Sequence, residues 1–252
     1  MTSLTIALIS FACIATGSVV GAVVRRMLPG HHLTSDSRDV VKLGAGLIAT
    51  QAALVVGLLV SSAKGSLDSM NTGLTQMGAK IIVLDHTLAR CGPGADPVRR
   101  QLKATIADGI QRLWPETGPA TGVAATEAST DWATVVESVH RLEPANDAQS
   151  QAKAQALQIA SDLTHLRFLL LEQTHTALPR VFLVVLVFWF TVLFCCFAAL
   201  TPPNPTVFVV LLVCALSVAG AIFLILEMGH PLEGLVRASP APLEAARDRI
   251  GR

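Results

Sequence analysis

Apolar positions along this chain follow two patterns. Four runs, Leu4 to Val24, Leu43 to Ala63, Val181 to Leu200 and Val207 to Leu226, are predominantly apolar, and each is close to the roughly 20 residues a helix needs to cross a bilayer. Between the second and third runs the pattern turns amphipathic. Leu67, Met70, Leu74, Met77, Ile81, Leu84 and Leu88 recur at alternating steps of three and four, the seam of a helix that packs on another. Cys91 to Gly94, with Gly and Pro where helices end, stops it. The next helix spans 97–114 and carries Ile106, Ile110, Leu113 and Trp114 on one side, followed by a loop rich in Gly, Pro and Thr at 115–122. Asp131 is the expected cap of a short helix bearing Trp132, Val135, Val139 and Leu142. From Asp147 a last helix presents Leu157, Ala160, Leu163, Leu166 and Leu170 and runs up to Pro179.

These elements predict an all-α membrane protein: transmembrane helices 1 and 2 in residues 1–65, and a helical cytoplasmic domain inserted between helices 2 and 3 at 66–179. A transmembrane hairpin of helices 3 and 4 follows at 180–228, then a C-terminal cytoplasmic tail at 229–252. The first run has no basic residue ahead of it and exceeds the about 7 to 15 apolar residues of a signal peptide, so it reads as a retained span. Thr201 to Pro205 forms the tight uncharged turn of the hairpin.

No proline interrupts 43–88, so the second span and the seam helix read as one helix, about 70 Å long at 1.5 Å per residue. Carried backward, the seam passes through Ala63, Val60, Val56, Ala53, Ala49 and Gly46. On that side Ala45, Ala49, Ala53 and Gly57 recur every four residues, as Gly17 and Gly21 do in the first span, a small-residue pattern that lets helix backbones approach. Half a revolution away lies a polar column: Gly44, Gln51, Val55, Leu58, Ser62, Gly65, Ser69, Thr72 and Gln76. Facing an axis shared by several copies, it would line a lumen in which Gln51 rings flank a Val55 and Leu58 constriction, with Ser62, Ser69 and Gln76 beyond. Alternatively, Gln51 hydrogen-bonds a neighbouring helix, and Ser69, Thr72 and Gln76 are a solvated face. Thr50 is expected to bond its own helix backbone.

Composition narrows the function classes. Hydrophobic residues make up 52% and charged residues 15% of the 252, against about a quarter charged in soluble domains. The net charge of +1 gives no nucleic-acid footprint. Four of the five cysteines, Cys13, Cys195, Cys196 and Cys214, sit in apolar runs and leave Cys91 alone, so neither a disulfide framework nor a zinc site can be assembled. His165, Arg167, Glu172 and His175 match no ligand motif and read as a solvated face, so no metal or cofactor is expected. No phosphate loop, nucleophile elbow or zincin pattern occurs, which argues against an enzyme. Glu227 ends the fourth span against the helix dipole and calls for a basic partner, Arg237 or one from another subunit. Lys64, Arg180 and Arg237 favour cytoplasmic placement of 66–179 and both termini, although Arg25, Arg26, Arg38 and Lys42 pull the other way.

The strings His32 to Lys42, Leu186 to Phe190, Ala215 to Glu227 and Pro231 to Arg237 with the following Ser-Pro-Ala-Pro-Leu resemble a bacterial membrane family described as bestrophin-like, over nearly the whole chain. The resemblance implies a homo-oligomer, a pentamer by analogy, in the bacterial inner membrane, with the second span lining a pore for chloride or a monovalent cation. It also implies departures. The second span holds no phenylalanine for a bestrophin-type neck, leaving Val55 and Leu58 to form one, and no acidic cluster matches the calcium clasp. The rival from a different class is a non-conducting scaffold or signalling protein that recruits a partner through its cytoplasmic helices.

Overall fold

The computed structural model describes residues 2–27, 35–114, 122–175, 180–202, 204–229 and 236–251; side chains at 122–130, 173–175 and 180 are not among them. In chain order the helices are α1 (Ser3–Met27), α2 (Ser35–Ala89), α3 (Asp96–Leu113), α4 (Gly122–His140), α5 (Asp147–His175), α6 (Arg180–Leu200), α7 (Pro205–Met228) and α8 (Ala241–Arg249). Among the described residues there is no strand. Most of the loop expected at 115–122, part of the turn at 201–205, the approach to Pro179 and much of the 231–237 string lie outside the described residues.

The chain divides into two compact units, residues 1–65 with 177–229, and residues 66–176 with 230–252. In the first unit α1, α6, α7 and the start of α2 pack together, and four described helices (α1, α2, α6 and α7) are long and apolar enough to cross a membrane. Small residues set the closest approach. A Cβ at Gly17 would lie 2.6 Å from the Thr191 carbonyl oxygen on α6, and one at Gly21 would overlap the carbonyl of Cys195. Ala45 meets Ile14, Leu193, Phe194 and Ala215 in one small core. Ala52, Leu59 and Ala63 meet Leu186, Ile222 and Ile225 in another. Large apolar side chains such as Leu8, Phe188, Val213 and Leu216 stay exposed, a surface that water penalises and acyl chains accept. The hydroxyls of Ser10 and Thr191 donate to carbonyls four residues back, at 2.8 and 2.7 Å. Asn204 caps α7 by accepting from the Thr206 N–H at 3.0 Å, ahead of Pro205 at a position that needs no donor.

The packed stripe of α2 in this unit is Ala45, Ala52, Leu59 and Ala63, with Ala49 and Val56 half-buried. Of the positions named by the seam carried backward, Ala63 is buried and Ala49 and Val56 are half-buried, whereas Gly46, Ala53 and Val60 are exposed. The cause is geometric. A strict seven-residue repeat advances 3.5 residues per turn while a straight α-helix has 3.6, so an extrapolated seam drifts by about 20° per heptad.

The second unit is a helical bundle around one core. Met70, Leu74, Ile81, Leu84 and Leu88 of α2 are buried with Leu102 and Ile110 of α3, Val135 and Val139 of α4, and Ala156, Ala160, Leu163 and Leu170 of α5. After α2 ends, Gly92 turns the chain with φ +92°, a conformation that suits glycine, into a 3-10 turn at Pro93–Ala95. Asn146 caps α5 by accepting from Gln149 N at 2.9 Å, while Gln149 Oε1 accepts from Ala145 N at 2.8 Å. Two readings change. Asp131 lies within α4 rather than at its start, and its carboxylate pairs with Arg112 at 3.0 Å. The tail from 236 is part of the core: α8 buries Leu243 and Ala246, and Ala238 and Ile250 flank it. Its sequence is short and rich in Pro, Ala and Arg, so no long apolar period announced a packed helix.

The tail is held by polar contacts as well. The Asp85 carboxylate, 2% exposed, accepts two hydrogen bonds from Arg99 at 2.7 and 2.9 Å and one from the Gly251 N–H at 3.2 Å. Burial pushes the Asp85 carboxyl up, but these donors and the Arg99 charge outweigh it and hold its pKa below the usual carboxylate value. The same bonds raise Arg99 above the usual guanidinium value. Lys103 reaches the Ile250 carbonyl at 3.2 Å, and the Trp114 indole donates to Ala238 at 2.8 Å.

Two predictions follow from this packing. A Cβ at Gly78 would lie 2.6 Å from the Pro242 carbonyl oxygen, whereas one at Gly65 meets nothing within 4 Å. Gly78→Val is expected to destabilise the fold by about 1–3 kcal/mol through overpacking, while Gly65→Ala is neutral or stabilising by up to about 1 kcal/mol; thermal unfolding followed by circular dichroism separates them. Asp85→Asn takes from Arg99 its buried charged partner, leaving only the exposed Asp96 at 3.8 Å, and should cost about 3–5 kcal/mol at pH 7. Because the folded pKa of Asp85 lies below its unfolded value of about 3.9, its contribution is complete above that value and lost as pH falls through the folded one. The wild type should therefore lose stability more steeply than Asp85→Asn below about pH 4, measured as the unfolding midpoint against pH.

Candidate lining face of the second helix

Between Lys42 and Lys64 the α2 helix carries no charged side chain, so Gln51 is its largest polar group. Thr50 is accounted for locally: its hydroxyl donates to the Gly46 carbonyl at 2.9 Å, as expected of a hydroxyl at depth in a span. Gln51 differs. It is exposed, and among the described residues no group hydrogen-bonds its amide, so the bond to a neighbouring helix considered from sequence is not made within this chain. An amide left against acyl chains loses its hydrogen bonds to water, a cost of a few kcal/mol.

The rest of the column follows the helical repeat. Gly44, Leu58 and Ser62 are exposed, with Leu58 at 62%, and Ser69 and Gln76 are exposed further along. Val55 is half-buried, packed at the edge of the Ala52 and Leu59 core. At 3.6 residues per turn the column lies about 120° around the helix from the packed stripe, rather than half a revolution, which brings Val55 to the margin. Of the four-step stripe, Ala45 is buried and Ala49 half-buried, whereas Ala53 and Gly57 are exposed. Gly17 and Gly21 both face the α6 backbone.

Sequence reasoning passed over Leu47 and Leu54. They are 63% and 65% exposed and flank Gln51 on the side away from Val55. In a span a leucine is unremarked by composition; only the coverage of α2 by its own chain along one stripe marks them as part of an open face. Glu227 is buried at the end of α7, 6% exposed. His165, which with Glu172 was weighed as a metal site, belongs to no group of three or more metal-ligating side chains among the described residues.

A profile of the bestrophin-like domain matches residues 11–243. Among solved structures the chain is similar to a bacterial bestrophin homolog from Klebsiella pneumoniae carrying a tryptophan-to-alanine mutation. The two share 12% identity with a TM-score of 0.72, covering 99% of this chain and 97% of that one, a likeness of fold. No curated protein matches the sequence.

Cysteine accessibility tests whether the open face of α2 meets water or lipid. With the five native cysteines replaced, Gln51→Cys and Ser62→Cys in liposomes should react with a charged thiosulfonate. Ala52→Cys, in the core, and Val213→Cys, exposed on α7, should not. Equal protection of all four positions would place the column against lipid or protein.

Proposed function

The chain belongs to the bestrophin-like family, and from that premise we propose that it forms a homo-oligomeric ion channel whose α2 helices surround the pathway. Five copies follow by analogy with the bestrophins. The observation that carries the reading is the exposed Gln51 amide, which no described group of its own chain satisfies, on a helix its own chain covers along one stripe. An axis shared by several copies resolves both features. It gives Gln51 water, and it gives the exposed Leu47 and Leu54 flank protein neighbours.

In this arrangement Gly44 widens the entrance above the Gln51 ring. Val55 and Leu58 form an apolar neck able to gate by dewetting, and Ser62, Ser69 and Gln76 line the polar exit. Side chains from five helices then decide conduction at two levels. The neck sets whether a hydrated ion passes, and the amide ring offers both a donor and an acceptor, so it suits either chloride or a monovalent cation. The protein sits in the bacterial inner membrane, with residues 66–179 and both termini on the cytoplasmic side, the placement favoured by Lys64, Arg180 and Arg237.

The test is ion flux from liposomes containing purified chain, with the copy number read by native mass measurement. Leu58→Ala should raise conductance severalfold by widening the neck, and Gln51→Ala should change the chloride-to-cation permeability ratio. Absence of flux under every ion gradient, or a monomer in both detergent and lipid, would sink the channel; unchanged currents in both variants would move the lumen off this face.

A further inference from the structure

The second unit contains a groove that the α2 face does not use. It runs between α4 and α5 as two adjoining cavities of about 580 and 470 Å³ that share Val136, His140, Thr164 and Phe168. Both volumes fall within the roughly 300–1,000 Å³ range of small-molecule sites, which are mostly apolar with a few placed polar groups. The walls match that description. Phe168 is 64% exposed, and Val136, Leu157 and Leu171 add aliphatic surface.

At one end stands Arg167. Its guanidinium carbon lies 5.8 Å from the centroid of the Trp132 ring, close enough for a cation–π contact. Trp132 is itself fixed: it is 5% exposed and donates its indole N–H to the Thr164 hydroxyl at 2.8 Å, which in turn donates to the Ala160 carbonyl at 2.8 Å. Among the described residues no carboxylate or other group bonds the Arg167 guanidinium, and burial lowers its pKa against the pull of Asp131. The surrounding carboxylates are committed elsewhere. Asp131 pairs with Arg112 at 3.0 Å, Glu137 with Arg141 at 3.1 Å and Asp162 with Lys80 at 2.7 Å. Among the described residues, then, Arg167 stands half-buried with no carboxylate paired to it. Ser161, His140 and His165 add side-chain polar groups along the same groove with no bond to another described residue.

We propose that the α4–α5 groove binds a small carboxylate with a flat apolar body. Arg167 takes the carboxylate in paired hydrogen bonds, and the body lies along Trp132, Val136 and Phe168. The fit is one of charge and shape together. A bare inorganic anion would leave the apolar walls wet, and an apolar molecule without a charge would leave Arg167 unanswered. A second copy of the chain could cover the same walls, and the experiment separates the two.

The experiment is a fluorine NMR titration of 4-fluorobenzoate with the full chain in lipid nanodiscs and empty nanodiscs as the blank. Saturable binding is expected, with displacement by unlabelled benzoate. Arg167→Gln should weaken it about tenfold or more, the loss of one charge-assisted pair, while Arg167→Lys, which keeps the charge, should lie between. Ser161→Leu, which fills the groove from α5 without touching the charge, should also weaken binding and serves if Arg167→Gln fails to fold. Equal binding of 4-fluorobenzylamine, unchanged affinity in both Arg167→Gln and Ser161→Leu, or no saturable binding would overturn the proposal. So would a change in copy number on Arg167→Gln without any benzoate binding, which would assign the groove to contact between copies.

Discussion

In hydrocarbon every backbone N–H and C=O must be satisfied inside its own segment, and a helix is the way a single span does so. That constraint shapes α2 more than any tertiary contact. Its backbone is satisfied along 55 residues without help, so the helix survives although its own chain covers it along one stripe of the span. Side chains are then free to differ by face. Ala45, Ala52, Leu59 and Ala63 are small or well-nested where α1, α6 and α7 press in, and Gln51 can stand where nothing of its own chain meets it.

Packing without water relies on close approach rather than on the hydrophobic effect, because acyl chains are as apolar as leucine. Gly17 and Gly21 show the consequence at α6, where there is no room for a single added carbon. The second unit is organised by the opposite rule. There the aliphatic seam of α2 is buried with four other helices, and its charges appear where they are answered, as with Asp85 between Arg99 and Gly251. Arg167 is held against an indole, with no carboxylate bonded to it among the described residues.

Much of the helix inventory was legible in the sequence, for reasons that are local. Four long apolar runs have few ways to satisfy their backbones, and the heptad of Leu67 to Leu88 names its own buried side. Where reading failed, the signal was not local. Asp131 resembles a cap because caps and mid-helix salt-bridge residues draw on the same side chain; Arg112, from another helix, decided which it was. The tail offered only Leu243, Ala246 and Ile250, too few to show a period, and its place depended on Gly78 leaving room for Pro242.

The candidate face was half legible. Sequence alone determined that Gln51 lies in an uncharged span and shares a helical line with Gly44 and Leu58, since that is fixed by 3.6 residues per turn. It did not determine which side of α2 is covered. A difference of 0.1 residue per turn, accumulated over the span, moves the packed stripe from Ala53 to Ala52 and leaves Ala53 and Gly57 open. Which residue meets α6 and α7 is settled only when the helices assemble, because close approach depends on the shapes of all the partners at once.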